Sequence, residues 1–304
     1  MKPPPNAPWH PSAPPPPSAP PPNAPAPLDP VWLNDRLVPA DQARVSVADR
    51  GLLTGEGVFE SMAASAGQAA SGVPFALSRH LARLERSAEI VGVPHPDAAL
   101  VRHAVGQVLA AGRPRATRVR ITWTAGAAPQ GPPTLLVTAS PLAAHPPTAS
   151  VAVAPWRRNE RSAVAGAKTV SYAENAVVRR WALAQGADEA LFATTDGRLC
   201  EGSTSNVFLV VDGDLVTPTL STGCLPGVTR SLVLEWCGAV ERDLPSDVLH
   251  RAQEVFLTSA TRMIQPVLRC LATPQADTGY PAPGERTGLA ADTFRARAAE
   301  HPDP

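Results

Sequence analysis

Lysine has almost vanished from this chain. Of 27 lysine and arginine residues only two are lysine: Lys2, in a proline-rich tail, and Lys168, in "AGAKTVSYAEN". Arginine replaces lysine as a surface charge but not as a nucleophile, because only the ε-amine sheds its proton near neutral pH and condenses with a carbonyl. A coding preference for arginine leaves one lysine by chance as easily as by need, so the chemistry depends on what accompanies Lys168. Competing chemistries lack their residues. There is no GxGxxG run, and without a Gly-Lys pair no phosphate-binding P-loop can form. The histidines (10, 80, 95, 103, 145, 250 and 301) fall in no HExxH or other ligand spacing, so no metal site is expected. His80 reads as structural.

The elements that must position the amine follow from composition and pattern. A chain of 304 residues and 31.7 kDa, 44% hydrophobic, is long enough for a core and for two domains. Its formal net charge of zero leaves no electrostatic footprint for nucleic acid or anionic lipid. Cys200, Cys224, Cys237 and Cys270 are scattered without a CxxC pair, as suits thiols in a reducing compartment. No apolar run approaches the roughly 20 residues of a membrane span, and the start lacks the charged and apolar regions of a secretory signal. A cytoplasmic protein without membrane or nucleic-acid partners is expected.

Residues 1–30 hold 15 of the 36 prolines and almost no core-forming side chains, a composition that favours polyproline II and disorder. From Val31 onward the pattern is mixed. Residues 31–38 suit a strand and turn, "GVFESMAAS" and "VPFAL" two further strands, and Ser78 the cap of a helix with Leu81, Leu84, Ala88 and Val91 on one stripe, closed by Gly92. A helix over 97–111 and strands "RVRITW" and "TLLVTA" follow. The Pro- and Ala-rich run "SPLAAHPPTAS" marks a boundary. Beyond it come a strand "VAVAP", a helix near 173–185 with Ala176, Val177, Trp181 and Leu183 available for packing, and hairpins turning at Asp196-Gly197 and Asp212-Gly213. "LPGVTR" turns sharply at Pro226-Gly227 into a helix, and "EVFLTSA" is another strand. The reading is an α+β chain with a smaller domain over 31–142, a larger one over 148–275 and a C-terminal helix or tail over 276–304.

In this order, "VWLNDRLVPADQARVSVADRGLLTGEGVFESM", "HLARLERSA", "AGAKTVSYAEN", "GADEALFATTDGRLCEGSTSNVFLV" and "LPGVTR" resemble the fold-type IV pyridoxal-phosphate enzymes, the class IV aminotransferase family. The likeness spans roughly residues 31–270. It implies a two-domain fold like that of D-amino-acid aminotransferases, pyridoxal 5'-phosphate as cofactor, a small amino substrate bearing a carboxylate, and a homodimer. Lys168 resembles the lysine that holds the cofactor and then moves protons, the catalytic position. Glu201 resembles the carboxylate that keeps the pyridine nitrogen protonated. Arg83 resembles the phosphate arginine, and Gly227, Val228 and Thr229 the phosphate cradle, where a helix start offers free N–H groups and its dipole to an anion. Tyr172 and Asn206 match positions near the cofactor. One departure stands out: Ala260 occupies the place of a second phosphate-binding threonine, with Ser259 or Thr261 as substitutes.

Within the family the pattern "DRGLLTGEGVFES" and the run after Lys168 are closest to aminodeoxychorismate lyase, which forms 4-aminobenzoate and pyruvate. "ITWTAGAAPQGPP", however, lacks the arginine-containing glycine loop of many lyases, leaving Arg118, Arg120 and Arg262 as partners for substrate carboxylates. An aminotransferase of branched-chain or D-amino acids is the alternative reading, and a catalytically silent interaction protein a remote one.

Overall fold

The structure is a computed structural model in which residues 29–65, 73–112, 116–127, 131–271 and 277–304 are described. Residues 1–28 of the proline-rich tail lie outside them. The first sheet comprises β1 (Val31–Leu33), β2 (Arg36–Val38), β3 (Gly57–Ala64), β4 (Thr117–Thr124) and β5 (Thr134–Pro141), in the order β2-β1-β5-β4-β3 and antiparallel throughout. A short α1 (Arg50–Leu53) precedes β3, and α2 (Leu77–Val91) and α3 (Ala98–Ala111) cover one face.

Strand alternation decides what that sheet presents. In β4, Val119, Ile121 and Trp123 are buried against Leu81, Leu84 and Ala88 of α2 and Val101 and Val105 of α3, while Arg118 and Arg120 point the other way. In β3, Val58, Met62 and Ala64 join the same core, whereas Phe59 and Ser61 face a cavity on the opposite side. Glu60 is therefore forced toward the helices, fully buried.

The second sheet is mixed. It contains β6 (Ala149–Arg158), β7 (Glu189–Thr194), β8 (Leu199–Gly202), β9 (Asn206–Val211), β10 (Asp214–Thr217), β11 (Val240–Glu241), β12 (Glu254–Ser259), β13 (Met263–Leu271) and β14 (Thr278–Gly279). The main path runs β11-β10-β9-β12-β13-β6-β7-β8, with β14 beside β13. Parallel pairs join β13 to β6, β6 to β7 and β10 to β11. Helices α4 (Ala173–Ala184), α5 (Val228–Trp236) and α6 (Glu285–Glu300) pack around it. Asp212 and Gly213 both have positive φ, 54° and 83°, the geometry of a tight hairpin turn.

Three expectations are corrected. "VPFAL" is not a strand: Phe75 N bonds Ala63 O, Ala76 turns at φ 55°, and α2 begins at Leu77. Ser78 does not cap that helix. Asp303 does, accepting from Ser78 N at 2.7 Å and Ser78 Oγ at 2.5 Å, a contact 225 residues away in sequence. Helix α4 buries Asn175, Val178 and Ala182 at helical spacing, and of the residues expected to pack Trp181 lies against that core, while Val177 and Leu183 face outward. Gly92, by contrast, closes α2 in the left-handed conformation as expected. Among the described residues no helix is long and apolar enough to cross a membrane.

Candidate active site

Lys168 lies on the connection from β6 to α4, and its backbone is laced to the first sheet. Phe59 N donates to Lys168 O at 2.9 Å, Val170 N donates to Gly57 O at 2.9 Å, and Lys168 N donates to Ser87 Oγ at 3.1 Å. The segment thus runs as a short antiparallel bridge along β3, with Val58 opposite Thr169. Gly55, at φ 74°, leaves no room for a side chain: a Cβ there would fall 2.0 Å from Ser171 Oγ. The half-buried Lys168 holds its Nζ 4.3 Å from the Phe59 ring centroid and 5.5 Å from that of Tyr172. Burial, reinforced by the charge of Arg83 and opposed by Glu60 and Glu201, lowers its pKa to about 8.

Arg83 reaches the same space from α2. Its Nε and Nη2 form a fork on the Glu60 carboxylate at 2.8 and 2.7 Å, and His80 Nδ1 meets Glu60 Oε2 at 2.7 Å. Burial alone would raise the Glu60 carboxyl, but the charges and hydrogen bonds of Arg83 and His80 outweigh it and hold its pKa at about 2. His80 is depressed by the same burial. The remaining Arg83 nitrogen, Nη1, donates to Pro226 O at 3.3 Å, pressing the guanidinium against the start of α5. Breaking a buried ion pair by removing one partner costs about 3–5 kcal/mol. Glu60→Gln is therefore expected to lower stability by that order, read from the denaturation midpoint, with Arg83 left uncompensated.

At that start the first helical bond is Ser231 N to Gly227 O at 2.9 Å, so the N–H groups of Val228, Thr229 and Arg230 precede the ladder. No side chain caps the helix. A Cβ at Gly227 would lie 2.0 Å from Asn206 Oδ1, so any side chain there would displace the Asn206 amide. Asn206 Nδ2 donates to Leu225 O at 2.9 Å and to Glu201 Oε2 at 3.4 Å. Glu201, at the end of β8, also accepts from Leu225 N at 2.9 Å, and its Oε1 lies 3.7 Å from Arg158 Nη2. Burial raises its pKa, against Arg158 and the Leu225 N–H. Tyr172 donates to Ser203 O at 3.2 Å; burial raises its phenol.

Lys168, Arg83, Glu201, Tyr172, Asn206 and the Gly227–Thr229 turn all line one cavity of about 730 Å³. Ala260 lines it too, with Ser259 and Thr261 beside it. The sequence reading missed three further residues there: Glu60 behind Arg83, Arg158 beside Glu201, and Thr258. Glu60 carried a signal, being a charged residue on the helix-facing side of an apolar strand. Of the arginines considered for carboxylates, Arg118 and Arg120 face the cavity, but Arg262 is bound to Glu189 at 2.5 Å and to Thr204 at 3.0 Å.

Buried groups on the cavity wall lack hydrogen-bond partners: Arg158 Nε and Nη2, Ser205 Oγ and Thr258 Oγ1. With a free helix start and a cation at one end and a carboxylate with an amine farther in, this donor set fits an anionic ligand that also carries an electrophilic carbon and a basic nitrogen. Among the described residues no cluster could hold a metal ion.

Comparison with known proteins agrees. Residues 57–270 match the family model "Amino-transferase class IV". The chain is 30% identical over 254 residues to a putative branched-chain-amino-acid aminotransferase of Methanocaldococcus jannaschii, covering 78% of this chain and 86% of that one. It is 32% identical over 219 residues to a bifunctional aminodeoxychorismate lyase / D-amino acid transaminase of Mycobacterium tuberculosis, covering 62% and 70%. Among solved structures, the branched-chain aminotransferase of the thermophilic archaeon Thermoproteus uzoniensis with norvaline superposes with a TM-score of 0.76 at 28% identity, over 88% of this chain and 94% of that one. A lone partly desolvated lysine, a free helix start and a matching family pattern over most of the folded chain lead to one statement: this protein belongs to the class IV aminotransferases, with their two-domain α+β fold.

Proposed function

We propose that the protein is a pyridoxal-phosphate-dependent 4-amino-4-deoxychorismate lyase, releasing pyruvate and leaving 4-aminobenzoate. Pyridoxal 5'-phosphate is the cofactor of the family; when bound, it supplies an electron sink for the pair left behind as a carbon beside the substrate amine loses its proton. The observation that carries the reading is that the Lys168 amine, with its pKa near 8, shares one cavity with the uncapped helix start at Gly227–Thr229 and with the Glu201 carboxylate.

Each residue has its task. Arg83, clamped by Glu60, and the N–H groups of Val228 and Thr229, with the Thr229 hydroxyl, would hold the phosphate; Ser259 or Thr261, which line the cavity beside Ala260, would supply the hydroxyl absent there. Glu201, steadied by Asn206 and the Leu225 N–H, holds a proton on the pyridine nitrogen. Arg158 opposes the burial that would neutralise Glu201. Tyr172 and Phe59 confine the amine. Lys168 would hold the cofactor through its Nζ, and the same amine would take the proton from the substrate carbon beside the amino group. In the lyase reaction the adjacent carbon–oxygen bond then breaks, the enolpyruvyl group leaves and takes up a proton as pyruvate, and the ring becomes aromatic. The reading leans on the lyase-like pattern of the run Asp49–Ser61, which lies against the lysine segment, where Ser171 Oγ donates to Gly55 O at 3.3 Å.

A second reading, aminotransferase, draws on the branched-chain relative and on the absence of the arginine-containing loop after β4. There Lys168 would carry the same proton with no leaving group expelled from the substrate. The paired assay separates the two: pyruvate with 4-aminobenzoate from aminodeoxychorismate, against a keto acid from branched-chain or D-amino acids with 2-oxoglutarate. Transfer without release of 4-aminobenzoate overturns the lyase. Assembly as a homodimer completes the proposal and is checked by sedimentation at twice the 31.7 kDa chain mass.

The lowered lysine pKa fixes a pH dependence. Neutral amine is the reacting form, so the rate at which cofactor-free enzyme captures pyridoxal phosphate is expected to rise about tenfold per pH unit up to about 8 and then level off. A rate still climbing toward pH 10 contradicts the desolvated amine.

A further inference from the structure

The groups that would meet a phosphate come from two different sheets. Arg83 belongs to α2, which covers the first sheet, while the free N–H groups of Val228 and Thr229 belong to α5, which packs on the second. Within the cavity the two halves meet at Arg83 Nη1 and Pro226 O, at 3.3 Å long for a hydrogen bond. Glu60, on β3, fixes Arg83 within the first half only. The spacing of the guanidinium from the start of α5 therefore depends on how α2 itself is held against the second half.

The tie is made at the first turn of α2. Ala76, just before it, takes the left-handed conformation, φ 55° and ψ 35°, which alanine adopts only where its surroundings hold it there. Ala76 offers no side-chain cap, and the groups that secure the turn come from the segment after α6. Ala76 N donates to Pro302 O at 2.8 Å, Asp303 accepts from Ser78 N at 2.7 Å and from Ser78 Oγ at 2.5 Å, and Arg79 Nε donates to Pro304 O at 2.9 Å. Arg79 also forks onto Glu235 of α5 at 2.6 and 2.9 Å, a partly exposed pair that contributes little by itself. Helix α6 is seated on the second half: Ala290 and Phe294 share a core with Leu232 and Val233 of α5, and Phe75 meets the Phe294 ring at a centroid distance of 6.0 Å. One segment thus fastens the start of α2 to the helix that carries the phosphate cradle. Arg83 stands five residues beyond Ser78 on α2, about 7.5 Å along the axis, so a slip or tilt of the first turn is carried to its guanidinium.

We propose that Asp303 is a positioning residue for the cofactor phosphate: by capping α2 from the α6 side, it sets the spacing between Arg83 and the start of α5. The inference rests on the reading that this cavity takes the phosphate of pyridoxal 5'-phosphate between those two groups. It goes beyond that reading by giving a task to a residue that does not line the cavity and acts only through another side chain.

Titration of the full chain, stripped of cofactor, with pyridoxal 5'-phosphate and with pyridoxal tests this, because the ratio of the two dissociation constants isolates what the phosphate contributes. Asp303→Ala is expected to lower that ratio by about fivefold, the equilibrium equivalent of one lost helix cap, through weaker binding of pyridoxal phosphate and unchanged binding of pyridoxal. Asp303→Asn, whose amide oxygen still accepts from Ser78 N, should retain most of the preference. Asp97→Ala is the control for stability alone: Asp97 caps α3, accepting from Ala99 N at 2.8 Å and Leu100 N at 3.2 Å, on a helix that does not line the cavity. It should lower the melting transition comparably and leave the ratio intact. Should Asp303→Ala be too unstable to titrate, Arg79→Ala, which releases both Pro304 and Glu235, carries the same expectation. The proposal is overturned if Asp303→Ala keeps the wild-type ratio, or if Asp97→Ala lowers it as much. Those results leave the cofactor site standing; a wild-type protein that binds the two compounds equally strikes the phosphate cradle itself, and this proposal with it.

Discussion

Lys168→Ala is expected to lose turnover by about 10,000-fold or more, the upper end of what a positioned proton-transfer group contributes. It is also expected to bind pyridoxal phosphate without retaining it through gel filtration. The argument is one of scarcity as well as position. Lys2 is the other lysine in the chain, and no arginine can deputise because a guanidinium keeps its proton at any working pH. The fold should survive, since the backbone of residue 168 makes the bonds to Phe59 and Ser87 and its side chain makes only ring contacts. Loss of activity with an unchanged melting transition is the expected pattern. A variant that turns over normally contradicts it.

Glu201→Gln should cost about 100- to 1,000-fold in turnover, the order found when one preorganised electrostatic group is removed from a reacting centre. The amide keeps an oxygen to accept from Leu225 N but carries no charge with which to hold a proton on the ring nitrogen. Stability should move the other way or not at all. Burial already penalises the Glu201 charge and raises its pKa, so replacing it with a neutral isostere relieves desolvation. Activity falling while stability holds identifies an electrostatic role. Parallel loss of both, measured by turnover and chemical denaturation, identifies a merely structural one. Arg158, paired with Glu174 and close to Glu201, stays charged in this variant and keeps the amide's surroundings polar.

Much of this site was legible before any coordinates. Lys168 stands out by scarcity, and Glu201 and "LPGVTR" are picked out through the ordered family resemblance of the segments around them. What stayed hidden depends on register and distance. Glu60 becomes the clamp of Arg83 only because β3 turns its even-numbered side chains toward α2. Asp303 caps α2 from the far end of the chain, displacing the nearby Ser78 that local capping rules favour. In α4 Ala176, Val177, Trp181 and Leu183 suggested the packing face; Trp181 does lie against the core, but the face turned to the sheet runs through Asn175, Val178 and Ala182, and Val177 and Leu183 are left exposed. Arg262 looked as available as Arg118 until the fold placed Glu189 beside it. Periodicity tells which elements exist; the partners of long polar side chains are set by tertiary register.

With two lysines in the chain, one measurement tests the central claim directly: borohydride reduction of the cofactor-loaded protein, followed by peptide mapping by mass spectrometry. The phosphopyridoxyl mass should appear on the peptide containing Lys168 and on no other. A label on Lys2, or catalysis by an enzyme whose Lys168 peptide stays unmodified after reduction, contradicts the account.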